Sequence, residues 1–168
     1  MELFDIVDEQ DQVVGTERRD EVHRRKLRHR AAHIFVFRPN GQLLIHLRSP
    51  HKEEFPSVWT SSASGHVSAG EDYSTAARRE LQEELGIVSD LQRFGKFEAC
   101  EDTSNEFTEL FLTTSDAEIH FDPVEIVRTR WMEPQTIADE MDSQPDQFSP
   151  AFRLLFRTWR QAEADSAF

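Results

Sequence analysis

At 168 residues, with 38% hydrophobic side chains, 13 Phe and 3 Trp, the chain has the apolar mass for one core, and a single domain over 1–168 is the expectation. Its formal charge of −13 excludes a long nucleic-acid partner, whose phosphates most of this surface would repel. A lone cysteine, Cys100, excludes an intramolecular disulfide; no run reaches the roughly 18 apolar residues of a membrane span, and the first residues carry no basic and apolar leader. The expected setting is the cytoplasm, with no membrane contact.

Leu3 to Val7 alternates as a short strand, Asp8 to Gln12 is a polar turn, and Val13-Val14-Gly15 is a second strand, together a leading hairpin. The stretch Arg18 to Arg30 then sets Arg18, Arg19, Arg24, Arg25, Lys26, Arg28 and Arg30 against Asp20 and Glu21. It could meet a compact anion or be a solvated basic loop, because phosphate sites depend on a few converging donors and not on bulk charge. Residues 1–31 are thus read as a hairpin and a basic segment. Ala32 to Arg38 and Leu43 to Arg48 are strand-like runs around Pro39-Asn40-Gly41-Gln42, where Asn-Gly is a strong hairpin signal.

From Ser49 to Ser64 the periodicity stops. Pro50, Pro56 and five serines make this a long loop, with Phe55 and Trp59 expected to anchor it to the core and the loop itself a candidate substrate wall. Trp59 could also stack on a base, although packing is its commoner role.

Ser74 to Leu85 contains neither Pro nor Gly and is rich in Ala, Leu, Glu, Gln and Arg, so it reads as a helix that Gly86 ends. Residues three and four apart share a helix face, so Glu80, Glu83 and Glu84 project together beside an apolar stripe of Ala77, Leu81 and Leu85. Like charges at that spacing repel by roughly 0.2–0.5 kcal/mol a pair. By itself the cluster fits either a solvated acidic face or a hard-cation site for Mg²⁺ or Mn²⁺.

Beyond this helix, Leu91 to Cys100 and Glu106 to Thr114 read as strands, with Cys100 a core thiol, and Ile126 to Met132 as another. Pro134 starts a helix to about Met141, Asp142 to Gln147 is a loop, and Ser149-Pro150 opens a last helix over 149–163. Phe152, Leu155, Phe156 and Trp159 are its core stripe, and Ala164 to Phe168 should fray. Strands and helices interleave without a regular repeat, which predicts an α/β architecture of the α+β type, a mixed β-sheet flanked by helices.

The run Gly65, five residues, Glu71, seven residues, Arg79-Glu80-Leu81-Gln82-Glu83-Glu84-Leu85-Gly86-Ile87 resembles the Nudix box, G-x5-E-x7-R-E-U-x-E-E-x-G-U with U aliphatic, and fills every defined position over 65–87. The resemblance implies an α/β/α sandwich and cleavage of a P–O–P bond in a small-molecule diphosphate such as a nucleoside diphosphate linked to another group. It implies that Glu80, Glu83 and Glu84, with the carbonyl of Gly65, bind Mg²⁺ or Mn²⁺, and that Glu71 pairs with Arg79. Glu80 and Glu84 are then the nearest candidates for the base, with Glu125 a further acid.

Asp5 to Glu9, Val22-His23, Leu27 to Ala31, Lys52 to Trp59 and Ser64 to Val67 are similar to the Nudix branch of isopentenyl diphosphate isomerase. In that branch Glu106 matches a metal-ligand position, while His23 and His29 resemble, at altered spacing, two more; Arg30 is a further candidate contact. The isomerases carry a cysteine before the Gly-His pair and an incomplete box, whereas here Ser64 precedes Gly65 and the acids are complete. A serine hydroxyl does not titrate near neutrality. Hydrolysis is therefore expected, with an isomerase or a catalytically silent binding module as the alternatives; oligomeric state is not readable.

Overall fold

The computed structural model describes residues 1–167, which form nine strands and four α-helices. Two strands, β1 (Leu3–Val7) and β2 (Val13–Arg18), pair antiparallel as a separate hairpin, as the alternation predicted. The basic segment is not a loop. Arg19–Arg25 is a short helix, α1, acidic in its first turn and basic in its last, which suits the helix dipole, with Val22 alone buried.

The main sheet runs β5-β4-β3-β8-β7, and β6 and β9 pair with β3 and β4 off that path. Here β3 is His29–Phe37, β4 Leu43–Arg48, β5 Trp59–Thr60, β6 Ala63–His66, β7 Gln92–Phe97, β8 Glu106–Thr114 and β9 Ile126–Met132. Along β3 and β8 the pairing is parallel over its whole length, and the other ladders are antiparallel, so the sheet is mixed. Alternate side chains of β3 serve opposite layers. Ala32, Ile34 and Val36 face α2 (Tyr73–Leu85) through Ala77, Leu81 and Leu85, whereas Phe35 joins Phe152, Phe156 and Trp159 of α4 (Pro150–Ser166) and Ile137 of α3 (Pro134–Ser143). Helices on both faces give the α/β/α sandwich.

The turn after β3 is built differently from a two-residue Asn-Gly hairpin. Gly41 N–H donates to Arg38 O, with Pro39 and Asn40 as the central residues, and Gly41 at φ +88° takes the left-handed position that follows. Beyond it β3 and β4 pair only at Phe37 and Leu43. The two strands splay, and the serines of the supposed loop fill the gap: Ser62 Oγ donates to Leu44 O at 2.6 Å and accepts from Val36 N–H at 2.8 Å. Ser61 and Ser62 are fully buried. What reads as a structureless Ser-rich loop therefore ends in β5 and β6.

Trp59 is buried as expected, under the guanidinium groups of Arg128 and Arg130. Phe55 does not anchor the loop: it is 40% exposed and held at φ +47°. Cys100 lies past the end of β7 and is exposed, so it is not a core thiol in a strand. The last helix continues to Ser166 instead of fraying from Ala164, and Phe168 lies outside the described residues. Among the described residues no helix is long and apolar enough to cross a membrane.

Candidate active site

Asp72 caps α2 by accepting from Thr75 N–H at 2.7 Å, and Gly86 at φ +68° ends it. Between them Glu80, Glu83 and Glu84 share one side, but unequally: the side chains of Glu80 and Glu84 are 14% and 17% exposed, that of Glu83 61%. Gly65 on β6 makes room for the first. A β-carbon there would overlap the Glu80 carboxylate, so the box glycine is required by close approach.

Arg79 ties the site together. It donates from Nε and Nη2 to the two oxygens of Glu71 at 3.0 and 2.9 Å, from Nη2 to His66 O at 3.0 Å, and from Nη1 to Glu80 at 2.6 Å and Glu83 at 3.4 Å. Glu71 in turn accepts from Ser68 N–H at 3.0 Å, which fastens the loop before α2. Glu84 takes only a long bond from Ser64 N–H, 3.4 Å, and stands 3.9 Å from His46 Nδ1. Burial first, then Glu80 beside it, pushes the Glu84 carboxyl up to about 8; burial also raises Glu80. Two carboxylates strained upward in this way are stabilised by a nearby cation, and hard oxygen donors on one helix face suit Mg²⁺ or Mn²⁺.

A second cluster borders the same cavity, which has a volume of about 780 Å³. His23 from α1, His29 from β3 and His66 from β6 each place one ring nitrogen within 4.8 Å of the others. Glu106 Oε1 lies 3.2 Å from His29 Nε2 and 3.0 Å from His66 Nε2. Phe4 of the hairpin stacks on His29 and His66 at 5.6 and 4.6 Å between ring centres. His29 Nδ1 donates to Leu27 O at 2.8 Å, which leaves the Nε2 lone pair facing a carboxylate. Two acceptors that close need a cation between them, a proton or a metal ion. Among the described residues the buried Nε2 atoms of His23 and His29 have no hydrogen-bond partner, and they fit a metal's demand for bare imidazole nitrogen. Burial alone would raise Glu106, but the neighbouring His66 and His29 hold it below the usual carboxylate range.

A family model described as NUDIX domain matches residues 27–152. The chain belongs to the NUDIX domain family. Relatives include an isopentenyl-diphosphate Delta-isomerase of Serratia proteamaculans, 31% identical over 93% of this chain and 90% of that protein. An uncharacterized Nudix hydrolase of Pseudomonas aeruginosa is 36% identical over 86% of each. Among solved structures, DR0079 of Deinococcus radiodurans superposes with a TM-score of 0.83 at 29% identity, covering 94% of this chain and 98% of that one. The protein is a hydrolase of the Nudix type, and its fold is the Nudix sandwich.

Within this Nudix fold the predicted residues do not all converge. Gly65, Glu80, Glu83, Glu84, Arg79, His23 and Glu106 line the cavity, and His29 lies behind them. Arg30 turns away, pairing with Asp11 at 2.7 Å in a buried network that also takes bonds from Tyr73 and Lys96; this network fastens the hairpin to the sheet. Trp59 packs in the core, outside the cavity. Reading the residues one by one missed His66, the third ring of the cluster, and the cavity cations Arg48 and Lys52. Two bases flanking Pro50 in an acidic chain were the available signal for those. Arg48 donates to the carbonyls of Glu54 and Phe55 at 2.8 and 3.0 Å, and Lys52 pairs with Glu125.

Proposed function

We propose that the protein is a divalent-metal-dependent hydrolase that cleaves the P–O–P bond of an organic diphosphate, such as a nucleoside diphosphate linked to another group, with residues 1–168 acting as one catalytic unit. The observation that carries this reading is the complete carboxylate set on α2, with Glu80 against Gly65 and Glu84 in the same cavity, beside a serine and not a thiol at position 64. Glu80, Glu83, Glu84 and the Gly65 carbonyl would hold Mg²⁺ or Mn²⁺, which offsets diphosphate charge and polarises its oxygens when bound.

The chain's own residues supply the rest. Arg48 and Lys52 on the cavity wall attract the anionic substrate. Arg79, bonded to Glu71, Glu80 and Glu83 at once, fixes the carboxylates and is a positioning residue. Glu84 is the one box acid that Arg79 does not bind, and with only a long bond from Ser64 N–H its carboxylate is free to take a proton from the attacking water.

The histidine cluster and Glu106 favour a second reading, an isomerase of isopentenyl diphosphate, since those positions resemble the isomerase ligands. Ser64 disfavours it, because a hydroxyl cannot serve where that chemistry uses a thiol. Purified protein with Mg²⁺, assayed against nucleoside diphosphate derivatives, dinucleoside polyphosphates and isopentenyl diphosphate, separates the readings. Phosphate or nucleotide release that collapses in Glu84→Gln supports the hydrolase. Isomerisation without release would replace it.

A further inference from the structure

We propose that His33 binds the substrate directly, as a neutral imidazole whose Nε2–H donates to an oxygen of the bound diphosphate. This rests on the diphosphate reading above and adds a recognition residue outside the box and outside the histidine cluster.

His33 is at the middle of β3, paired with Ser64 of β6, and forms part of the cavity wall although only 6% exposed. Its Nδ1 lies 2.8 Å from Ser61 Oγ. Ser61 is fully buried, and among the described residues its hydroxyl has no other side-chain partner. If Nδ1 carried the ring proton, the Ser61 hydroxyl hydrogen would be left without an acceptor, at a cost that disfavours that arrangement. Ser61 O–H therefore donates to Nδ1, and the neutral ring holds its proton on Nε2. Burial depresses the ring to about 4, so this form persists through neutrality. With Nδ1 turned into the serine layer between β3 and β4, the Nε2 edge is the one left for the cavity. Among the described residues Nε2 has no protein partner, and it keeps some exposure, unlike the fully buried unpartnered atoms His23 Nε2, His29 Nε2 and Arg153 Nε.

An uncharged donor suits this position. Glu80, Glu83, Glu84 and Glu106 face the same space, and a cation placed there is drawn into an ion pair, as Arg79 is by Glu80 and Lys52 by Glu125. An imidazole N–H remains free for an incoming phosphate oxygen, and a donor to a charged acceptor is the stronger kind.

The test uses the full chain, ¹⁵N-labelled at histidine, with Mg²⁺ and methylenediphosphonate, a diphosphate analogue that cannot be hydrolysed. In the free protein His33 Nδ1 should resonate as unprotonated and Nε2 as protonated, and the probe should shift the Nε2–H signal. By calorimetry His33→Phe should weaken probe binding about ten- to a hundredfold, the range for one hydrogen bond to a charged group. His33→Gln, which keeps a donor, should recover part of it, and Ser61→Ala, which unlocks the tautomer, should lose less than His33→Phe. A ring proton found on Nδ1, or wild-type affinity in folded His33→Phe, overturns the proposal while the hydrolase reading stands. No binding by the wild-type protein overturns both.

Discussion

Gly65→Ala separates the geometry of the site from the stability of the fold. A β-carbon at this position overlaps the carboxylate carbon and both oxygens of Glu80, while the backbone itself is outside the left-handed region and accepts alanine. The obstacle is the far end of a side chain with rotatable bonds, so Glu80 swings aside at the cost of an off-rotamer torsion, about 0.5–1.5 kcal/mol. Losing its 2.6 Å bond from the partly exposed Arg79 adds about 1 kcal/mol at most. The expected loss of stability is therefore about 0.5–2.5 kcal/mol, read from urea unfolding followed by tryptophan fluorescence. The expected loss of rate is far larger, on the order of 10²-fold for a reacting group displaced by an ångström or more, read from Mg²⁺-dependent product release. A variant with wild-type turnover would refute the requirement for Glu80 at this place. One destabilised by more than about 4 kcal/mol would refute the claim that only a side chain has to move.

Ser62→Ala should destabilise the chain by about 2–3 kcal/mol in urea unfolding, because Val36 N–H loses its buried acceptor and Leu44 O its donor where β3 and β4 splay. Asp11→Ala leaves Arg30, Lys96 and Tyr73 without their shared acceptor and should release the hairpin, seen as lost hydrogen-exchange protection in β1. In the wild-type protein burial opposes ionisation of Asp11, but bonds from Lys96, Arg30 and Tyr73 outweigh it and lower its folded value beneath the ordinary 3.8. A depressed carboxylate contributes stability that is complete above the unfolded value and disappears as pH falls through the folded one, so hairpin protection should hold from neutrality to about pH 5 and fail below 3.8. His66→Asn removes one of three converging imidazoles and should weaken any Mn²⁺ binding by the cluster measured by calorimetry, leaving the far-ultraviolet circular dichroism of the fold unchanged.

How much of this was readable from residues alone varies by cause. The box was readable because its chemistry demands fixed residue types at fixed spacing; the helix and its Gly86 stop follow from local composition, and the Glu71–Arg79 pair from the family resemblance that the box carries. Strands with long alternation, such as Glu106–Thr114, were readable for the same local reason. By contrast α1 has one buried residue, Val22, and too few apolar positions to show a helical period. Strands β5 and β6 are two and four residues long and owe their pairing to the splay of β3 from β4, which no local signal reports. The histidine cluster draws on three elements, so its members are distant in sequence, and the fate of Arg30 depended on Asp11 across the hairpin.

The central claim is that water attacks phosphorus at this site. Turnover of a substrate from the panel in H₂¹⁸O with Mg²⁺, followed by mass spectrometry of the phosphate-containing products, tests it most directly. The account predicts one ¹⁸O in one product for each bond cleaved, and no such product from Glu84→Gln. Conversion of isopentenyl diphosphate without ¹⁸O uptake, with deuterium entering carbon from D₂O, would contradict it.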